Sequence, residues 1–153
     1  MNKYYGTIKF AIITLILMTI GGTMATACSS GSKTTTAAIS TNTSSSEISY
    51  SKDIQPIFNS YCVVCHQGAG QAGLTLEPKL SYSNLVGMPS TESATELRVK
   101  PGSPDQSYII AKLQGTQVQA GGSGAQMPYG AVPLSQAQID LIRQWIMQGG
   151  LNN

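Results

Sequence analysis

Apolar residues recur at helical spacing in three places along the chain, and each recurrence is bracketed by residues that start or stop a helix. The first runs through Ile54, Ile57, Phe58 and Tyr61, with Ser51 or Asp53 as N-cap and Pro56 tolerated because it falls near the start. The second follows Ser103-Pro104-Asp105-Gln106, which reads as N-cap, first-position proline and capping-box glutamine, and carries Tyr108, Ile109, Ile110 and Leu113. The third pairs Ser135 with Gln138 in another capping box, continues through Ile139, Leu141, Ile142, Trp145 and Ile146, and stops at Gly149-Gly150. No segment alternates apolar and polar residues as a half-buried strand would. The expected class is all-α, with three to five helices joined by long loops.

The N-terminal pattern is different. Lys3 and Lys9 precede an unbroken apolar or neutral run over residues 10–20, too short for a comfortable membrane span, and small residues follow up to Ala27. That order predicts a secretory signal over residues 1–27. Cys28, behind Ala25-Thr26-Ala27, resembles the lipidated cysteine of a bacterial lipoprotein, although Ala25 stands where leucine is usual; cleavage after Ala27 with an incidental cysteine is the alternative. Residues 29–49 are almost entirely Ser, Thr, Ala, Gly and Asn, which bury too little apolar surface to order themselves. They predict a flexible tether between a membrane-held Cys28 and a folded domain over residues 50–153. The expected location is the periplasmic side of the cell envelope, and Ser29 directly after the cysteine points to the outer membrane.

Charge narrows the partners. Without Lys3 and Lys9, the chain from Cys28 onward has seven basic and seven acidic residues and no basic run. That excludes an electrostatic footprint for nucleic acid and leaves lipid as the expected membrane attachment.

The chemistry is concentrated in Tyr61-Cys62-Val63-Val64-Cys65-His66. C-x-x-C-H is the attachment pattern of haem c. On one helical turn, positions three and four apart share a face, so Cys62 and Cys65 reach the two vinyl groups while His66 offers a ring nitrogen to the iron. Three other readings use the same residues. Zinc needs three or four ligands, and the chain has no second histidine and only the remote Cys28 to add. A thioredoxin-like dithiol needs a βαβ context that is not visible, and a Cys62–Cys65 disulfide leaves His66 without a role. One covalent haem would also replace much of the apolar core that so short a fold lacks.

His66 is the only histidine, so a sixth ligand from this chain is expected to be methionine. Outside the signal segment these are Met88, Met127 and Met147. Met147 lies on the last amphipathic helix, where methionine usually fills gaps. Met88 follows Leu85-Val86. Met127 sits in AGGSGAQMPYG, a glycine-rich loop able to lie over a flat cofactor, with Pro128 stiffening it, and is the favoured ligand. No polar partner for a bound gas or peroxide is evident in that loop, which weighs against an open-site sensor or peroxidase. Trp145 is expected to pack on the N-terminal helix or the cofactor edge, and Arg143 to be solvated rather than paired with a propionate.

From about Tyr50 to Gly150 the chain resembles the class I monohaem cytochrome c domains, planctomycete-type ones most of all. The likeness is carried by Ile54-Gln55-Pro56-Ile57-Phe58 before Cys62-Val63-Val64-Cys65-His66, by Gly73-Leu74-Thr75-Leu76, by Lys100-Pro101-Gly102-Ser103-Pro104-Asp105 with Ser107-Tyr108, and by Met127-Pro128 with Leu134-Ser135, Ile139 and Trp145-Ile146. It departs in Gln67, where glycine is usual, and in the long glycine-rich stretch before Met127. The resemblance implies an all-α fold around haem with His66 and Met127 as axial pair, electron transfer rather than catalysis, and redox proteins as partners. Pro78, twelve residues after His66, resembles the proline whose carbonyl holds the histidine ring in class I cytochromes.

Overall fold

A computed structural model describes residues 46–153; the expected signal segment over 1–27, Cys28 and residues 29–45 of the expected tether lie outside the described residues. The described part is helical, and among its residues there is no strand, only three isolated bridges. Four α-helices follow in order: α1 (Gln55–Tyr61), α2 (Ser81–Leu85), α3 (Tyr108–Gln114) and α4 (Gln136–Met147).

The fold begins before residue 50. Ile48 is buried in the core and its N–H donates to Gln148 Oε1 at 2.8 Å, so the last residues assigned to the tether belong to the domain. The N-cap also differs from Ser51 or Asp53. Ser49 accepts from Lys52 N–H, while Asp53 Oδ2 accepts from Ser49 N–H at 2.8 Å, a reciprocal pair that satisfies donors at both ends of the first turn. A wide π-type turn over Tyr50–Ile54 then leads into α1.

The second helix starts later than its sequence suggests. Pro104–Gln106 forms a separate 3-10 turn, Ser103 makes no side-chain cap, and Ser107 is extended at φ −109° and ψ 113°. A bridge overrides the capping signal there. Tyr108 N–H donates to Leu97 O and Ile109 N–H to Arg98 O, and Ser107 Oγ accepts from Lys100 N–H at 2.8 Å. These bonds fix 97–98 beside 107–109 before α3 begins. The Ser135–Gln138 capping box of α4 is formed as its sequence implies.

The core joins α1 and α4. Ile54, Phe58, Leu85, Val99, Ile142, Trp145 and Ile146 are essentially inaccessible. The Trp145 ring lies 5.1 Å from that of Tyr50, and its N–H donates to Leu151 O, so it packs on the N-terminal turn and away from the cavity described below. Tyr50 donates to Ser81 Oγ at 2.6 Å; Ser81 in turn donates to Gln55 Oε1, and Gln55 Nε2 donates to Leu76 O at 2.9 Å. This buried chain of bonds ties the first turn, α1, α2 and the segment after the Cys-Cys-His motif into one unit.

Tyr50→Phe removes the donor to a fully buried hydroxyl and is expected to lower stability by about 1–3 kcal/mol. Burial pushes the Tyr50 phenol up to about 12, from 10.0 when exposed. Between those pH values the unfolded chain loses this proton and the folded one keeps it. The contribution is therefore full below pH 10 and lost as pH rises through that window. Denaturant unfolding from pH 9 to 12 should show a steeper fall for the wild type than for Tyr50→Phe.

Candidate functional site

Helix α1 delivers the motif and then stops. Phe58 O accepts from both Cys62 N–H (2.9 Å) and Val63 N–H (3.0 Å), ending the regular ladder, and His66 N–H donates to Cys62 O at 3.0 Å, closing one further turn over the motif. The single turn inferred from the spacing is present, but as a separate turn after α1. Cys62 and Cys65 are free thiols, the first half-buried and the second exposed. Burial, and secondarily Cys65, pushes the Cys62 thiol up to about 11, the reverse of the lowered value that a reactive dithiol requires. Among the described residues no three His, Cys, Asp or Glu side chains converge as a zinc ion would need.

The chain doubles back after His66 and holds its ring. Leu76 N–H donates to His66 O at 2.7 Å, and His66 Nδ1 lies 3.2 Å from Leu74 O. A carbonyl only accepts, so Nδ1 carries a proton, and in the neutral ring that tautomer leaves the Nε2 lone pair for a metal. The carbonyl is that of Leu74, not of Pro78: the return is four residues tighter than the proline spacing implies. Gly70 makes it possible, with φ +56° and a position where a Cβ would lie 1.9 Å from Leu74 O.

Cys62, Cys65 and His66 line a cavity of about 880 Å³, within the range of cofactor sites. Phe58, Leu74, Leu76, Leu85, Ile109 and Leu113 form apolar wall, and Met127 lines it too. Met88 and Met147 do not; they are 42% and 62% exposed. The glycine-rich loop is bonded to α3 at several points. Met127 N–H donates to Lys112 O, Gln126 Nε2 to Leu113 O, and Ser123 N–H to Tyr108 Oη. Gly122 permits the last contact, because a Cβ there would fall 2.1 Å from Tyr108 Oη.

Three charged residues that carry no sequence signal also line this cavity: Arg98, Lys112 and Glu92. Lys112 is buried, pairs with Glu92 at 3.0 Å and donates to Ser123 O at the base of the methionine loop. Arg98 is buried, and among the described residues no carboxylate pairs with it. Its guanidinium donates to Asn84 O, Ala72 O and Gly73 O, leaving two of five N–H donors unspent. Burial lowers its pKa, yet it stays a cation at neutral pH. The missing signal is tertiary: Glu92 lies in a polar loop, Arg98 between Leu97 and Val99, and Lys112 on α3, and no motif links them. Arg143 lies outside the cavity and pairs with Asp105 at the surface.

No family model matches this chain, and no curated protein or solved structure matches it either.

Gly70→Ala forces Cβ onto Leu74 O at a positive φ, so the return loop and with it the His66 ring must shift. The expected cost is roughly 1–3 kcal/mol in thermal or denaturant unfolding. Gly68→Ala, where a Cβ meets nothing within 4 Å although φ is +57°, should cost less.

Proposed function

We propose that the chain is a monohaem c-type cytochrome of the bacterial cell envelope, an electron carrier with His66 and Met127 as axial ligands. One observation carries this reading: two thiols, a histidine with its Nδ1 proton committed to Leu74 O, and a methionine line one largely apolar cavity. The residues fit haem c. Cys62 and Cys65 would hold it through thioether bonds, His66 Nε2 and the Met127 sulfur would face the iron, and the aliphatic wall would cover the ring. Such a group supplies one-electron cycling between ferrous and ferric iron.

The chain's own residues set the conditions for that cycling. Leu74 O keeps the imidazole in one tautomer and orientation. The bonds of 115–127 to α3 hold Met127 at the cavity without its side chain having to anchor the loop. Arg98, a buried cation with unspent donors and no carboxylate opposite it among the described residues, fits an acidic edge of the cofactor such as a propionate. Its charge favours the less positive ferrous state. Export by the N-terminal segment and anchoring through Cys28 complete the proposal: haem c is attached outside the cytoplasm, and residues 29–45 supply a polar tether.

An open-site sensor or peroxidase is the competing function, and methionine substitutions separate the two. Met127→Leu should leave covalent haem in place but open the iron, so that the ferrous variant binds carbon monoxide promptly while the wild type, Met88→Leu and Met147→Leu do not. Prompt binding by the wild type contradicts the carrier function. Arg98→Gln should lower the midpoint potential by tens of millivolts, on the order of the 59 mV that a tenfold change in a one-electron equilibrium represents. Redox titration checks it.

A further inference from the structure

Three consecutive residues hold three different parts of the cavity wall. Thr91 Oγ1 donates to Ala72 O at 2.9 Å, within the return that holds the His66 ring. Glu92 pairs with Lys112 of α3 at 3.0 Å. Ser93 Oγ donates to Ala120 O at 3.0 Å, in the chain leading to Met127. The turn that carries them is closed on itself: Ser90 N–H donates to Glu96 O, and Ser90 Oγ accepts from the N–H groups of Glu92 and Ser93. Glu92 is thus presented from a fixed base.

The ion pair lies against the methionine loop. Lys112 is buried and Glu92 half-buried. Lys112 Nζ also donates to Ser123 O at 3.2 Å, and Lys112 O accepts from Met127 N–H at 2.9 Å, so one residue of α3 holds both ends of the 123–127 segment. Gly124, between those ends, sits on the pair; a Cβ there would fall 3.2 Å from Glu92 Oε1 and 3.2 Å from Lys112 Nζ. A lysine ammonium rides on a flexible, strongly hydrated stem. Without a counter-charge it would turn to water rather than remain buried on Ser123 O alone.

We propose that Glu92 is a positioning residue for the sixth ligand: it fixes the Lys112 ammonium, which latches Ser123 and with it the Met127 loop over the cavity. Releasing the latch frees the loop and opens the iron, while Cys62, Cys65 and His66 keep their bonds to the cofactor. The proposal rests on the haem function above and adds to it a residue outside the ligand set. A purely structural ion pair would differ in one respect: its loss would lower stability without selecting Met127.

The test uses the haem-loaded protein and three readouts. These are the charge-transfer band of thioether-ligated ferric iron, the rate of carbon monoxide binding to the ferrous form, and hydrogen exchange at the Ser123 and Met127 amides. The variants are Glu92→Gln, Lys112→Met and the two combined. Tyr82→Phe, which cuts a bond to Gly150 O away from the cavity, controls for lost stability. Each single variant should weaken the band and speed both carbon monoxide binding and the two amides at least about tenfold. Tyr82→Phe should move none of the three. Removing both charges spares the cost of an unpaired one, so the double variant should regain stability over Glu92→Gln but not Met127 ligation.

Wild-type readouts in both single variants overturn the positioning role and leave the haem function standing. So does a band that returns with stability in the double variant, or one that Tyr82→Phe weakens as much. A wild type that binds carbon monoxide promptly has no sixth ligand to position, and a mass without covalent haem has no iron; either overturns both.

Discussion

The bond between His66 Nδ1 and Leu74 O is the contact on which the site depends, because it requires the chain to reverse direction within eight residues of the motif. The reversal is enforced from several sides. Gly70 removes the Cβ that would occupy the place of the carbonyl, Leu76 N–H closes onto His66 O, Gln55 grips Leu76 O from α1, and Arg98 donates to Ala72 O and Gly73 O. A single imidazole is thereby over-determined by residues from three separate parts of the chain. Such support keeps a ligand within the narrow tolerance a functional site needs.

The same economy organises the opposite wall. The glycine-rich stretch before Met127 has few apolar anchors of its own, and its order derives from backbone and amide bonds to α3. Tyr108, Lys112 and Leu113 each supply one side of such a bond. A small domain built round a cavity of about 880 Å³ keeps little apolar surface for its own core, so polar ties of this kind carry more of the definition of its loops.

The sequence was legible where local rules act alone. The Ser135–Gln138 capping box, the apolar face of α4 and the turn of Cys62 to His66 need only neighbours within four residues, and all three are formed. Legibility failed where distant backbone competes. Ser103 has every mark of an N-cap, yet the bridge from Leu97 to Ser107 holds the chain extended and delays α3. Ser49 rather than Ser51 caps the first turn because Asp53 returns the bond. The carbonyl that holds the ring is that of Leu74 and not of Pro78, since spacing to a proline says nothing of a glycine that allows a tighter return. Arg98, Lys112 and Glu92 carry no motif at all; only burial beside a shared cavity marks them. Helical class was therefore readable, and the identity of the polar residues behind the site was not.

The electron-carrier function requires a haem on Cys62 and Cys65. The direct measurement is the intact mass of the mature protein, produced in a host with cytochrome c maturation, taken together with a pyridine haemochrome spectrum. The account predicts the mass of one haem added to the chain and a spectrum typical of two thioether bonds, both lost in the Cys62→Ser, Cys65→Ser double variant. A wild-type mass equal to the polypeptide alone, with the two cysteines as thiols or joined in a disulfide, would contradict it.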